Sequence, residues 1–224
     1  MLNTRIPCMP NAPVASTLQP RKTPRQQRSA NTVATILEAA AHILEDAGLD
    51  GYTTNAVAAR AGVSIGSVYQ YFPHRDAVTR ALIECKSESL LTALLHIDAS
   101  ARGRDGIHHV IRIAVGQQLK QARLARILDM EEARMPASDA MREHGKRART
   151  IIQAYMEQDG IASRDMDTVV RDVLAITLGM VDGAGRHGET DEPALARRVT
   201  RAVFAYLDAV LIETRGSGPA NVVF

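Results

Sequence analysis

Apolar positions along this chain keep a helical period almost throughout. From Asn31 onward, Val33, Ile36, Leu37, Ala40, Ile43, Leu44 and Ala47 recur at steps of three and four, which puts them on one face of a helix. Gly48 stops that helix. Thr53-Thr54 is a cap signal for a short helix from Asn55 to Ala61, and Gly62 breaks it. Ser64 can cap a second short helix from Ile65 to about Phe72, which Pro73 ends because proline disfavours the helical state in the residue before it. Beyond residue 75 the period predicts helices near 76–97, 105–121, 124–134, 138–158, 166–184 and 192–213. Breaks are expected at Gly103 and Gly106, Pro136, Gly160 and Gly183 to Gly188. No stretch alternates apolar and polar long enough to demand a strand. The predicted fold class is all-α.

The flanks lack this order. Residues 1–24 hold five of the nine prolines and no period, so residues 1–27 are expected to be a disordered basic arm. Residues 216–224 are expected to be a loose tail. Between them, 28–75 forms one predicted domain of three helices and 76–215 a second, larger helical domain. Aromatic residues make up 4% of the chain and Trp is absent, so alanine and leucine must supply the core, which suits helices. The net charge of +2 conceals an asymmetry. Residues 1–75 carry seven Lys/Arg against four acids, and residues 1–37 carry five basic residues and no acid. A basic first third suits a polyanionic partner.

Several classes are set aside by what the chain lacks. Cys8 and Cys85 lie far apart in unlike contexts, which is neither a disulfide framework nor a zinc spacing, and Cys85 reads as helix packing. The seven histidines form no known ligand spacing, and no cofactor or metal is expected. No apolar run reaches the roughly 18 residues of a membrane span, and the proline-interrupted start has no signal-like apolar core. A cytoplasmic location is therefore expected. Gly62-Val-Ser-Ile-Gly66 matches the nucleophile elbow of α/β-hydrolases in letters only. That motif needs a buried strand before it and a long helix after it, and neither is predicted here. No convergent nucleophile, base and acid can be found, so an enzyme is not expected.

The segment Thr54-Asn-Ala-Val-Ala-Ala-Arg-Ala-Gly-Val-Ser-Ile-Gly-Ser-Val-Tyr-Gln-Tyr71 has helix-turn-helix grammar. Ala58 is small where two helices cross, Gly62 supplies a left-handed turn, and Val57, Ala61, Val63 and Val68 fall at inward positions. The outer face of the second helix is then free to enter a major groove. On Thr53-Thr54, Val57-Ala58, Ala61-Gly62-Val63-Ser64, Gly66-Ser67, Val68-Tyr69, Tyr71-Phe72 and Arg75, the chain resembles the tetracycline-repressor (TetR) family of bacterial regulators, over roughly residues 28–80. The resemblance implies that Thr54 and Asn55 meet phosphate or a base edge. It implies a reading face of Ile65, Gly66, Ser67, Tyr69 and Gln70, with Tyr71, His74 and Arg75 on the DNA backbone. Arg25 and Arg28, expected ahead of the first helix, are placed to reach phosphate or a minor groove.

For the second domain the same resemblance implies an effector-binding and dimerisation role. Two apolar stripes close the chain: Val169, Val173, Ile176, Leu178 and Met180, then Leu195, Val199, Val203, Tyr206, Leu207, Val210 and Leu211. The family architecture implies a homodimer through these last two helices, and the stripes are wide enough to serve an interface or an internal core. Leu95, His108, Ile111, Val115, Leu119, Met130, Tyr155, Ile176 and Met180 are the candidate walls of a pocket for a small apolar or aromatic effector. The expected function is a repressor that leaves a palindromic operator on double-stranded DNA when that effector binds.

Overall fold

A computed structural model of the protein describes residues 24–161 and 165–216. In chain order its helices are α1 (Pro24–Ala47), α2 (Thr54–Ala61), α3 (Ile65–Tyr71), α4 (Arg75–Leu95), α5 (Gly103–Lys120), α6 (Ala122–Arg134), α7 (Asp139–Gln158), α8 (Met166–Arg186) and α9 (Glu192–Gly216). No strand occurs among the described residues, and the fold is all-α with the short helix pair near its N-terminal end.

The period places most helices within two or three residues of where they lie, and the exceptions have physical reasons. The helix α1 begins at Pro24, not near Asn31. Its first turns carry no apolar stripe for periodicity to detect, but proline suits a first turn and Gln, Arg and Ala are good helix formers. Arg25 and Arg28 are therefore part of α1, not ahead of it, and residues 24–27 of the expected arm are helical. Most of that arm, and the tail from residue 217, lie outside the described residues. Gly106, an expected break, sits inside α5. A side chain there would lie 2.1 Å from the Tyr155 ring, so the glycine is what lets that ring rest on the α5 backbone.

Contacts divide the chain into two compact units. One takes the described residues up to Ser89 together with Arg123–Ala137, and the other takes Leu90–Ala122 with those from Ser138 onward. The division expected at residue 75 is thus not the one contacts draw, and nearly all of α6 falls with the first unit.

In the first unit α1 packs on α2, and α2 on α3. Ile36, Ala40 and Leu44 of α1, Val57 and Ala58 of α2, and Val68 of α3 are buried. In the second unit α5 packs against α7, α8 and α9, and α8 lies along α9. Its core joins Ile107, Ile111 and Val115 to Ile152 and Met156, to Val169 and Val173, and to Leu195, Val199, Val203 and Leu207. Most of the two C-terminal stripes is therefore core within one chain: Val203 is 0% exposed, whereas Leu178 is 58% and Ile212 71% exposed. Arg104 ties three helices of this unit together. It donates to Asp159 at 2.9 Å and to Asp208, and its guanidinium lies 5.0 Å from the Phe204 ring centre.

Candidate nucleic-acid interface

The helix pair α2–α3 is set by its caps. Thr53 is extended, and its hydroxyl accepts from the Ala56 N–H at 3.1 Å. The residue before it, Tyr52, is 1% exposed, as is Val57 five residues later, so an aromatic at N′ and an apolar residue at N4 brace the start of α2. At the other end Gly62 takes φ 67° and ψ 28°, and its N–H donates back to Ala58 and Ala59 carbonyls. A side chain at Gly62 would meet nothing within 4 Å, so the glycine answers a backbone need and not a packing one. Ser64 then caps α3, accepting from the Ser67 N–H at 3.0 Å, and the two serine hydroxyls lie 2.8 Å apart. Val68 is 0% exposed and pins α3 inward, while Phe72 and Pro73 close it.

One face of α3 remains in solvent. Ile65, Gly66, Tyr69 and Gln70 are exposed, and residues four apart on a helix share a face. Ser67 and Tyr71 are half-buried at its margin, and Thr54 is half-buried at the start of α2 beside exposed Asn55. The Thr54 hydroxyl and Tyr69 phenol are 3.2 Å apart, so these two candidates from different helices meet. His74 is exposed, and its Nδ1 accepts from the Ala77 N–H at 3.1 Å, which makes it the cap of α4 and leaves Nε2 to carry the ring proton. Arg75 is exposed at the first position of α4, 3.7 Å from Asp76 and with its guanidinium 5.8 Å from the Tyr52 ring centre. The structure thus gathers ten of the twelve expected DNA-facing residues onto α2, α3 and the start of α4. The other two, Arg25 and Arg28, lie on the first turns of α1.

Sequence reasoning missed Tyr52. Its hydroxyl accepts from Thr79 at 3.2 Å, and burial pushes its phenol up to about 12, against the lowering pull of Thr79 and Arg75. The signal was present, since an aromatic directly before a Thr cap with an apolar residue five further on is the staple pattern.

The candidate effector walls divide. Ile111 and Val115 are fully buried in the core of the second unit, and Leu119, Tyr155, Ile176 and Met180 pack half-buried against it. His108 is half-buried on α5, edge-on to the His109 ring at 6.2 Å. Leu95, at 53% exposed, ends α4, and Met130, at 63%, lies on α6 in the first unit. Among the described residues no group of three or more His, Cys, Asp or Glu is placed to hold a metal ion. No described helix is long and apolar enough to cross a membrane.

Two short capped helices with a solvent-facing second helix define a helix-turn-helix protein. Residues 36–82 match the family model described as bacterial regulatory proteins, tetR family. No curated protein matches the chain. Among solved structures it is similar to a TetR-family transcriptional regulator from Streptomyces coelicolor, at 21% identity and a TM-score of 0.61 over 80% of this chain and 99% of that one. It is similar to a TetR transcription regulator from Haloarcula marismortui, at 18% identity and a TM-score of 0.67 over 80% and 98% of the two chains. A fatty acid degradation regulator from Bacillus halodurans shares the fold at 15% identity, with a TM-score of 0.59 over 75% of this chain and 96% of that one.

Proposed function

We propose that the protein is a homodimeric repressor that binds a palindromic operator and is released from it when a small apolar or aromatic effector occupies the second unit. The observation that carries the DNA-binding part is the exposed face of α3, with Tyr69 and Gln70 presented by a helix that Ser64, Gly62 and buried Val68 hold rigid. A Gln amide can pair with adenine through two hydrogen bonds, and a phenol or a serine hydroxyl can reach phosphate. Arg75 and His74, both exposed, carry N–H donors suited to backbone oxygens.

The dimer reading rests on the faces of α8 and α9 that the core leaves over. Ala175, Leu178 and Gly179 on one helix, and Ala205, Ala209 and Ile212 on the other, are exposed and fall at helical spacing. Gly179 and Gly183 meet nothing within 4 Å inside the chain, which suits close approach by a second copy. The effector reading rests on the apolar character of the second unit, where burial would supply affinity and a few polar groups orientation. Release is then a population shift: an effector that prefers the DNA-free conformer lowers operator affinity, and DNA lowers effector affinity by the same factor.

Selection of duplexes from random pools by the purified protein tests this. The expected site is palindromic, with half-site centres about 34–36 Å apart or a small multiple of that. Affinity should fall steeply with salt as displaced counterions are released. An asymmetric best site, or binding indifferent to salt, contradicts the dimeric reader. Thermal-shift screening of neutral or singly charged apolar compounds, followed by a mobility-shift assay with the selected duplex, tests the effector.

A further inference from the structure

We propose that Ile65 is a specificity-determining residue that recognises the 5-methyl group of a thymine in each half of the operator. This rests on the DNA-binding reading above and names a base that α3 selects.

Large apolar side chains left in solvent are few in this protein. Among the described residues six are exposed, and two of them, Ile65 at 37% and Tyr69 at 51%, belong to the seven-residue helix α3. They stand four residues apart, so they share one face of that helix. The inward anchor of α3 is Val68, which is 0% exposed. Leaving hydrocarbon in water costs free energy that contact with an apolar group recovers.

The polar groups beside Ile65 are already engaged. The Ser64 hydroxyl accepts from the Ser67 N–H at 3.0 Å and lies 2.8 Å from the Ser67 hydroxyl. The Tyr69 phenol lies 3.2 Å from the Thr54 hydroxyl. Gly66 carries no side chain, and a Cβ there would meet only the Ser64 Oγ, at 3.8 Å, so the surface next to Ile65 is open backbone. This corner of α3 therefore presents a branched hydrocarbon with no free hydroxyl at its side.

Ile65 can neither donate nor accept a hydrogen bond. In the major groove the ring nitrogens, carbonyl oxygens and amino groups of the bases all ask for a donor or an acceptor, and the thymine methyl alone asks for hydrocarbon. A β-branched side chain is stiff at χ1, so little freedom is lost when it packs on a methyl. Ile65 is also the first residue of α3, and a recognition helix meets base edges with its leading residues. Ile65 and Gln70 thus read by different chemistry: hydrocarbon selects thymine, and an amide selects adenine.

Deoxyuridine substitution in the selected operator duplex tests this, because it removes the methyl and keeps every hydrogen-bonding group of the base. Each thymine is replaced in turn, in both half-sites together, and affinity is measured by fluorescence anisotropy at fixed salt. At one position at least, the unaltered protein should lose roughly fourfold per half-site, the worth of one buried methyl, and on the order of fifteenfold over the pair. Ile65→Ala should bind the thymine and uracil duplexes alike. Ile65→Val keeps a branched apolar group and should still prefer thymine. Indifference of the unaltered protein to every methyl overturns the proposal, whether or not the variants fold, and so does a selected half-site without thymine. A methyl preference that survives whole in Ile65→Ala overturns it too and gives the methyl to the Tyr69 ring. If no duplex is selected at all, the DNA-binding reading fails and this inference with it. A duplex bound with a steep salt dependence but with no methyl preference leaves that reading standing and removes only the role of Ile65.

Discussion

The two units of this molecule are built on different principles. In the head, short helices are positioned by individual bonds: a Thr cap, a Ser cap, a left-handed glycine and a staple, each acting at one named atom. In the second unit, long helices are positioned by area, with sixteen buried residues in one continuous cluster. Bond-built structure signals itself locally, because a cap needs a particular residue at a particular step. Area-built structure does not, because a wide apolar stripe fits a core and an interface equally well.

The largest expected effect lies in the area-built unit. Val203→Arg puts an uncompensated charge into a fully buried position, costing several kcal/mol and unfolding that unit. Leu178→Arg and Ile212→Arg, on exposed positions of α8 and α9, should leave helicity and melting nearly unaltered while dissociating the dimer proposed above. Circular dichroism and sedimentation velocity on the three variants separate core from interface. A folded Val203→Arg variant would contradict the assignment of Val203 to the core.

The next effect belongs to Tyr52 and to pH. Its folded-state phenol is raised to about 12 from an ordinary 10, so the neutral form is favoured by folding. The stability it contributes is fully present below pH 10 and is lost as pH rises towards 12, about 2–3 kcal/mol in all. Tyrosinate absorbance should show one of the five tyrosines ionising late, and Tyr52→Phe should remove that late step. Five tyrosines titrating together near 10 would mean that Tyr52 is not buried.

Smaller still is Ser64→Ala, which removes the α3 cap and should cost about 1 kcal/mol in denaturant unfolding. Gln70→Ala should sit at the bottom of the scale for stability, within about 0.5 kcal/mol. Its effect should appear instead in sequence preference, read by repeating the duplex selection. Arg75→Ala should lower affinity for all duplexes alike. An unaltered selected site for Gln70→Ala would mean that another face of α3 reads the bases.

The same contrast explains what could be read from the chain beforehand. Gly62, Ser64 and Pro73 announced both short helices, and Val68 announced their inward face. The extension of α1 back to Pro24 was invisible, because a helix turn without an apolar stripe leaves no period. The place of α6 was invisible too, since the bonds from Arg123 to α1 span 78 and 77 residues of sequence and join side chain to backbone. Backbone acceptors are present in every residue, so no sequence pattern marks which one a distant arginine will find. The apolar stripes of α8 and α9 were seen, but their sharing between core and exposed face depends on where α5 lies.

Gly106 and Tyr155 also constrain how this sequence can change over time. From the present pair, a methyl group at 106 collides with the ring at 2.1 Å, so the first step cannot be taken at the glycine. A smaller residue at 155 opens the space, after which alanine at 106 becomes acceptable and favours the helix. Once that second step is fixed, tyrosine cannot return to 155 until 106 reverts. The two positions therefore change in one order and revert only in the opposite one, so relatives should carry glycine wherever they carry the ring.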